Sequence, residues 1–207
     1  MAVLLNIHPD NPQPRLITRA VEHLRAGELI AYPTDSGYAL GCTLDAHDAL
    51  EQIRTIRHVG KDHHFTAVCS EFAQLGQYVR LSNSAFRSIR AHTPGPYTFI
   101  VPATKELPRR MLHPKKHTVG VRIPDNRIAI ALIDELGEPL LSSSLILPGE
   151  EETLTAGWQV QERIGHLIPL IIDADLPAAE PTSVIDWTDR APEVKRVGAG
   201  SVEVFES

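Results

Sequence analysis

Three consecutive hydroxyls, Ser142, Ser143 and Ser144, sit in the run PLLSSSLILPG (139–149), between Leu140 and Leu141 on one side and Leu145, Ile146 and Leu147 on the other. Aliphatic neighbours place this backbone inside the protein, where a hydroxyl costs free energy unless its oxygen finds a partner. A backbone carbonyl absorbs one such oxygen; three in a row point to a partner from outside. Strand alternation turns Ser143 away from Ser142 and Ser144, so Ser143 is expected to be structural. Three more stretches place polar residues at the ends of apolar runs, where α/β sheets bind ligands: YPTDSGYALGC (32–42), TPGPYT (93–98) and HTVGVRIP (117–124). Arg122, on an otherwise apolar strand, calls for an anionic partner, since an unpaired inward charge is costly. Thr34 can either contact a ligand or cap the turn after Pro33.

These stretches contain no G-x-G-x-x-G, no Walker phosphate loop, no G-x-S-x-G elbow and no H-E-x-x-H. The commonest nucleotide-fold and hydrolase chemistries are thereby set aside. His58, Asp62, His63 and His64 cluster in one segment, and His113 and His117 lie four apart. With ten histidines in the chain, such clustering arises by chance, and HH in a polar loop reads as solvated, so no metal site is expected.

The elements that must position these groups follow from periodicity. Leu16, Ile17, Ala20, Val21 and Leu24 recur at helical spacing, with Gly27 placed to end the helix. ELIAYPT (28–34) and ALGCTL (39–44) read as strands joined by a turn at DSGY. DAHDALEQIRTIR (45–57) reads as a helix with Asp45 as N-cap, and FTAVCS (65–70) as a short buried strand. A helix near 83–91, a strand at 97–103, an alternating strand at 117–124 and a helix at 126–137 follow. PLLSSSL returns to the sheet, and 167–174, 182–188 and 193–198 look like further strands. Several strands lie too close together for pure βαβ winding. The expectation is therefore an α/β (α+β) fold, a twisted mixed sheet flanked by helices, with a concave ligand-binding face.

The 207 residues show no repeat, low-complexity tract or Pro/Ser-rich linker, so a single domain over 1–207 with its core at about 14–200 is the simplest organisation. No apolar run approaches the roughly 20 residues that span a bilayer, and the N-terminus lacks the features of a secretory signal. Two cysteines and no C-x-x-C argue against a disulfide framework or structural zinc, consistent with a cytoplasmic protein. The net charge is −6, yet residues 105–122 carry +5, leaving −11 elsewhere. That basic run is either a solvated loop or a phosphate contact.

Taken in order, the pieces resemble the YrdC/YciO family, the threonylcarbamoyl-AMP synthase fold. YPTDSGYALGC is similar to its YPTE-x-x-x-G-LGC element, IRTIR lies where the family has Lys-x-Arg-Pro, and TPGPYT matches HPGP-x-T. TVGVRIPD matches T-x-G-V-R-x-P, LLSSSLI stands in place of STSAN, and TSVIDWT with VKRVG resembles the closing strand and R-x-G turn. IHPDNP, PYTFIVP, KELPRRML and LILPG are closer to the YciO branch.

The resemblance implies a YrdC-like fold and a nucleotidyltransferase that joins L-threonine, bicarbonate and ATP into threonylcarbamoyl-adenylate. ATP would be a substrate, with Mg²⁺ held mainly by its phosphates. A partner would deliver the group to adenosine in tRNA. It further implies that Thr34, Thr118 and Arg122 contact the threonine, Arg122 as a bidentate clamp on its carboxylate. Arg57 and Arg196 would face phosphate, and Ser142, Ser144 and Ser183 would donate to carboxylate and phosphate oxygens. No covalent nucleophile is required. Thr55 replaces the family Lys, His58 the Pro after the Arg, and Ile146 the Asn, which implies weakened or altered adenylation; Lys61 is a candidate substitute for the missing charge. The alternative is a non-catalytic protein that binds double-stranded RNA or tRNA through Arg109, Arg110, Lys115 and Lys116.

Overall fold

The helical spacing near the N-terminus builds α1 (Pro14–Arg25), which starts on a proline at N1 and buries Ile17, Ala20, Val21 and Leu24. Ile17, Val21 and Leu24 each contribute about 1.5–3 kcal/mol on burial. Gly27 follows at φ 79°, a left-handed turn that glycine adopts without strain. The computed structural model describes residues 1–174, 176 and 180–206. Its strands are β1 (Val3–Asn6), β2 (Ile30–Thr34), β3 (Gly37–Cys42), β4 (Thr66–Val68) and β5 (Tyr97–Pro102), then β6 (Thr118–Arg122), β7 (Leu140–Ser144), β8 (Leu170–Asp173), β9 (Ser183–Asp186) and β10 (Glu193–Arg196). They form one mixed sheet in the order β1-β8-β2-β3-β7-β4-β6-β5-β9-β10.

The remaining helices are α2 (His47–Arg57), α3 (Phe72–Tyr78), α4 (Asn83–Ala91), α5 (Arg127–Leu136) and α6 (Gly157–Ile164). The apolar faces of α2, α3, α4 and α6 pack with one side of the sheet, around Leu40, Phe65, Phe99, Val121 and Leu141. Among the described residues, only α1 and α5 pack on the other side, over Ile30, Tyr32, Val68, Leu140, Leu170 and Ile172. That unequal cover decides where a ligand can enter. Ser82 and Asn126 cap α4 and α5 by accepting from Ala85 N and Ala129 N, each worth about 1 kcal/mol.

The mixed α/β sheet expected from the sequence is what forms, with three differences in detail. Asp45 does not cap α2: Ala46 occupies the N-cap, and Asp45 Oδ1 accepts from Thr43 Oγ1 at 2.7 Å. β1, α3 and α6 were not anticipated; β1 is a four-residue edge strand with only Leu5 buried, so it carries no alternation to read. Burial also reaches beyond 14–200, since Leu5, Ile7 and Phe205 all lie in the core. Among the described residues, no helix is long and apolar enough to cross a membrane.

Candidate functional site

The strand register leaves part of the α1/α5 face open. β7 pairs with β4 only as far as Ser142 opposite Thr66, so Ser143 and Ser144 run past the start of β4. Beside them β6, β5 and β9 present Gly120, Thr98, Ile100 and Val184 to a cavity of about 350 Å³, within the range of small-molecule sites. Gly120 keeps its floor low: a Cβ there would lie 2.9 Å from Thr66 Oγ1 and 3.2 Å from Thr98 Cγ2.

Two guanidiniums form the walls. Arg57, at the end of α2, donates through Nη1 to Ser143 Oγ at 2.5 Å and through Nε to the Ile146 carbonyl at 3.2 Å. Arg196, on β10, donates to the carbonyl and hydroxyl of Thr182 at 2.9 and 3.0 Å. Arg57 Nη2 and Arg196 Nη1 make no hydrogen bond to a described residue, which leaves donors for a ligand. Burial, helped by the nearby Arg196 charge, pushes the Arg57 guanidinium down to about 10. Burial likewise lowers Arg196, with Arg122 adding to it. Both arginines remain charged at neutral pH, held close together and short of counter-charge. Asp62 is the one carboxylate among the residues lining the cavity.

The loop between α2 and β4 supplies the remaining wall. His63 Nε2 lies 3.1 Å from Ser143 Oγ, and His64 Nε2 lies 3.1 Å from Thr118 Oγ1. Burial lowers both imidazoles, followed by Arg57 and Arg54 for His63 and by His113 for His64; His63 falls to about 4. Both rings are therefore neutral at pH 7.

A second, smaller recess of about 20 Å³ adjoins the cavity, sharing Thr66, Thr98, Ser143 and Ser144 as walls and adding Tyr32, Thr34, Ser142 and Arg122. As it stands it has room for about one water. Arg122, on β6 and 5% exposed, donates to Ser36 Oγ at 2.8 Å and pairs with the Asp35 carboxylate. Arg122 Nε and Asp35 Oδ2 are buried without partners. The turn that holds Asp35 and Ser36 is fixed by Thr34 Oγ1, which donates to the Gly37 carbonyl at 2.7 Å and accepts from Ser36 N at 3.1 Å. Gly37 has φ 92°, and a Cβ would overlap Thr153 Oγ1, so the turn requires glycine.

The structure thus brings Thr34, Arg122, Ser142 and Ser144 to the recess and Arg57, Ser144 and Arg196 to the cavity. Ser142 is already engaged, donating to the Leu40 carbonyl at 2.9 Å and meeting the Tyr32 hydroxyl at 2.7 Å. Ser143 points opposite to its neighbours, and Arg57 and His63 engage its hydroxyl at the cavity wall. Thr118 lines neither space; it holds His64. Ser183 turns away, donating to the Gly200 carbonyl at 2.5 Å and accepting from Gly198 N at 2.9 Å. Lys61 is exposed and is not among the described residues that line the cavity. Thr55 Oγ1 bonds back to the Glu51 carbonyl at 3.0 Å, while Ile146 lines the cavity.

The basic run divides. Arg110 is tied down by donating to the Leu44 carbonyl at 3.0 Å, and Arg109, Lys115 and Lys116 are exposed. His63, His64, Asp35 and Ser36 were not anticipated at the site. Their signal was the position of HH directly before the buried strand FTAV, and of an acid directly after Thr34 in a run otherwise buried.

Comparison with known proteins decides the family. The Sua5, YciO and YrdC family model, described as telomere recombination, matches residues 22–198. The chain belongs to the Sua5/YciO/YrdC family. Within it, the chain is 48% identical to YciO of Escherichia coli over 205 residues, 99% of this chain and 100% of that protein. The crystal structure of E. coli YciO superposes with a TM-score of 0.95, again covering 99% and 100%. A threonylcarbamoyl-AMP synthase of Vibrio vulnificus is 31% identical over 163 residues, 77% of this chain and 87% of that one. Sua5 of P. abyssi, crystallised with L-threonine, is 27% identical with a TM-score of 0.90, covering 99% of this chain and 60% of that one. A chain of the Sua5/YciO/YrdC family thus carries this cavity, related to the synthases and much nearer to YciO.

Proposed function

We propose that the cavity binds an adenine nucleotide by its phosphates and the recess binds the carboxylate of L-threonine, so that the protein is a threonylcarbamoyl-AMP synthase-like enzyme with weakened adenylation. The observation that carries this reading is the convergence of Arg57, Arg196 and Arg122 on two adjoining, hydroxyl-lined spaces. The relation to a synthase and to a Sua5 crystallised with L-threonine supports it. Guanidiniums and hydroxyls at a charge-poor wall bind phosphate and carboxylate by charge-assisted hydrogen bonds, and holding the two ligands side by side promotes their reaction without a nucleophile.

Two features argue for reduced turnover. No lysine stands at position 55, and Ile146 offers no side-chain hydrogen bond to a nucleotide. In the recess, Asp35 occupies Arg122, so an incoming carboxylate must displace an internal one. Mg²⁺ would accompany ATP on the phosphates, with bicarbonate as the third substrate.

The test is pyrophosphate release from ATP that depends on both L-threonine and bicarbonate. Release that is slow and abolished by Arg122→Ala supports the reading. No release at millimolar ATP, with intact folding, overturns it.

A further inference from the structure

β4 and β6 run parallel as neighbours, with Val68 opposite Arg122. Beyond those residues the chain parts. β4 leads into α3 on one face of the sheet, where Leu75 is buried, and β6 leads into α5 on the other, where Ile128 and Leu132 are. Open α/β sheets take ligands at such a place, in the crevice outside the carboxyl ends of parallel strands whose helices leave to opposite faces. Here the crevice measures about 580 Å³, larger than the cavity beside Arg57 and Arg196. Among the described residues, it shares no lining side chain with that cavity or with the recess.

The lining sets what the crevice can hold. Its buried part is Ile123, 3% exposed, and Pro124; Phe72, Ile130 and Ala131 are half-buried around them. The Phe72 ring is held edge-on by Phe86 at 4.9 Å, and the rings of Phe72, Pro94 and Pro124 offer flat apolar surface suited to an aromatic body. The rim is charged. Glu71, Asp125 and Asp134 make no hydrogen bond or ion pair to a described residue. Of the two guanidiniums there, Arg90 is likewise unpaired, while Arg127 donates through Nη1 to the Asp10 carbonyl at 2.6 Å. Carboxylates outnumber guanidiniums, and one guanidinium is already engaged, so the rim favours a cation over an anion.

We propose that this crevice is a binding site for a small organic ammonium compound with an aromatic body. The ring packs against Ile123, Pro124 and Phe72, out of water, and the ammonium stays at the rim among the three carboxylates. Arg57, Arg122 and Arg196 do not border the crevice, so the site stands apart from the proposed function.

Tryptamine and indole-3-acetate are the probes, because they share a ring and differ in the sign of their charge. In amide NMR titrations of the full-length protein, tryptamine should saturate with a dissociation constant on the order of a millimolar or below. The amide signals of Ser70, Phe72 and Ala131 should shift together as it does. Indole-3-acetate, read at the same amides, should bind roughly tenfold more weakly. Glu71→Gln/Asp125→Asn/Asp134→Asn changes only exposed residues, and should cut tryptamine affinity roughly fivefold to tenfold without weakening indole-3-acetate. Ala131→Met, which puts a longer chain at the crevice wall, should weaken both probes. The site is overturned by no saturable tryptamine binding to the wild type, by equal affinity for the two probes, or by tryptamine affinity unchanged in the triple variant or in Ala131→Met. Each of those results leaves the proposed function standing.

Discussion

One face of the sheet has two halves, one covered by helices and one open, and their residues differ accordingly. Under α1 and α5 the residues pointing up are Ile30, Tyr32, Val68, Leu140, Leu170 and Ile172; beyond these helices they become Thr66, Thr98, Gly120, Ser144 and Arg122. β7 crosses the border within five residues, from Leu140, fully buried in the covered half, to Ser144, half-buried at the cavity. Apolar residues mark where the chain covers itself, and hydroxyls and guanidiniums mark where a ligand must. The three serines show it in miniature: Ser142 is satisfied by backbone and Tyr32, Ser143 by Arg57 and His63, and Ser144 by no described residue.

The largest effect expected in breaking this contrast comes from Arg122→Ala. It leaves the Asp35 carboxylate buried with neither oxygen paired to the guanidinium, which should cost about 3–5 kcal/mol in denaturant unfolding and abolish L-threonine binding. Leu140→Ala should cost about 2–5 kcal/mol through a cavity under α5, while the protein that remains folded binds AMP as the wild type does.

Acid should act on the open half. Unfolded His63 takes its proton near 6.5 but the folded protein not until about 4, so the unfolded state binds more protons between these values. Stability should therefore fall by up to about 3 kcal/mol as pH drops through that window, and His63→Gln should flatten this part of the profile. Ser144→Ala, last and smallest, should change stability by under about 0.5 kcal/mol and weaken AMP binding several-fold, the inverse of Leu140→Ala.

Much of this contrast was legible in the sequence. Helical spacing located α1 and α5, alternation located β6, and PLLSSSL carried the border itself. An inward Arg122 and adjacent hydroxyls required a polar space, and six family-like pieces in order located it. What remained hidden depends on long-range placement. Ser183 shares its composition with the site, yet the C-terminal turn at Gly198 and Gly200 claims its hydroxyl. His63 and His64 looked solvated because nothing local says that α2 turns their loop back over the end of β7. Asp35 was passed over because its partner is 87 residues away.

The most direct test of the central claim, that Arg57 and Arg196 await an anionic guest, is AMP binding by calorimetry to the wild-type protein and to Arg57→Met/Arg196→Met. Binding to the wild type should be saturable and should fall at least tenfold in the double variant, with the thermal midpoint of folding little changed. Equal affinity in the two proteins, or no binding to the wild type, would contradict it.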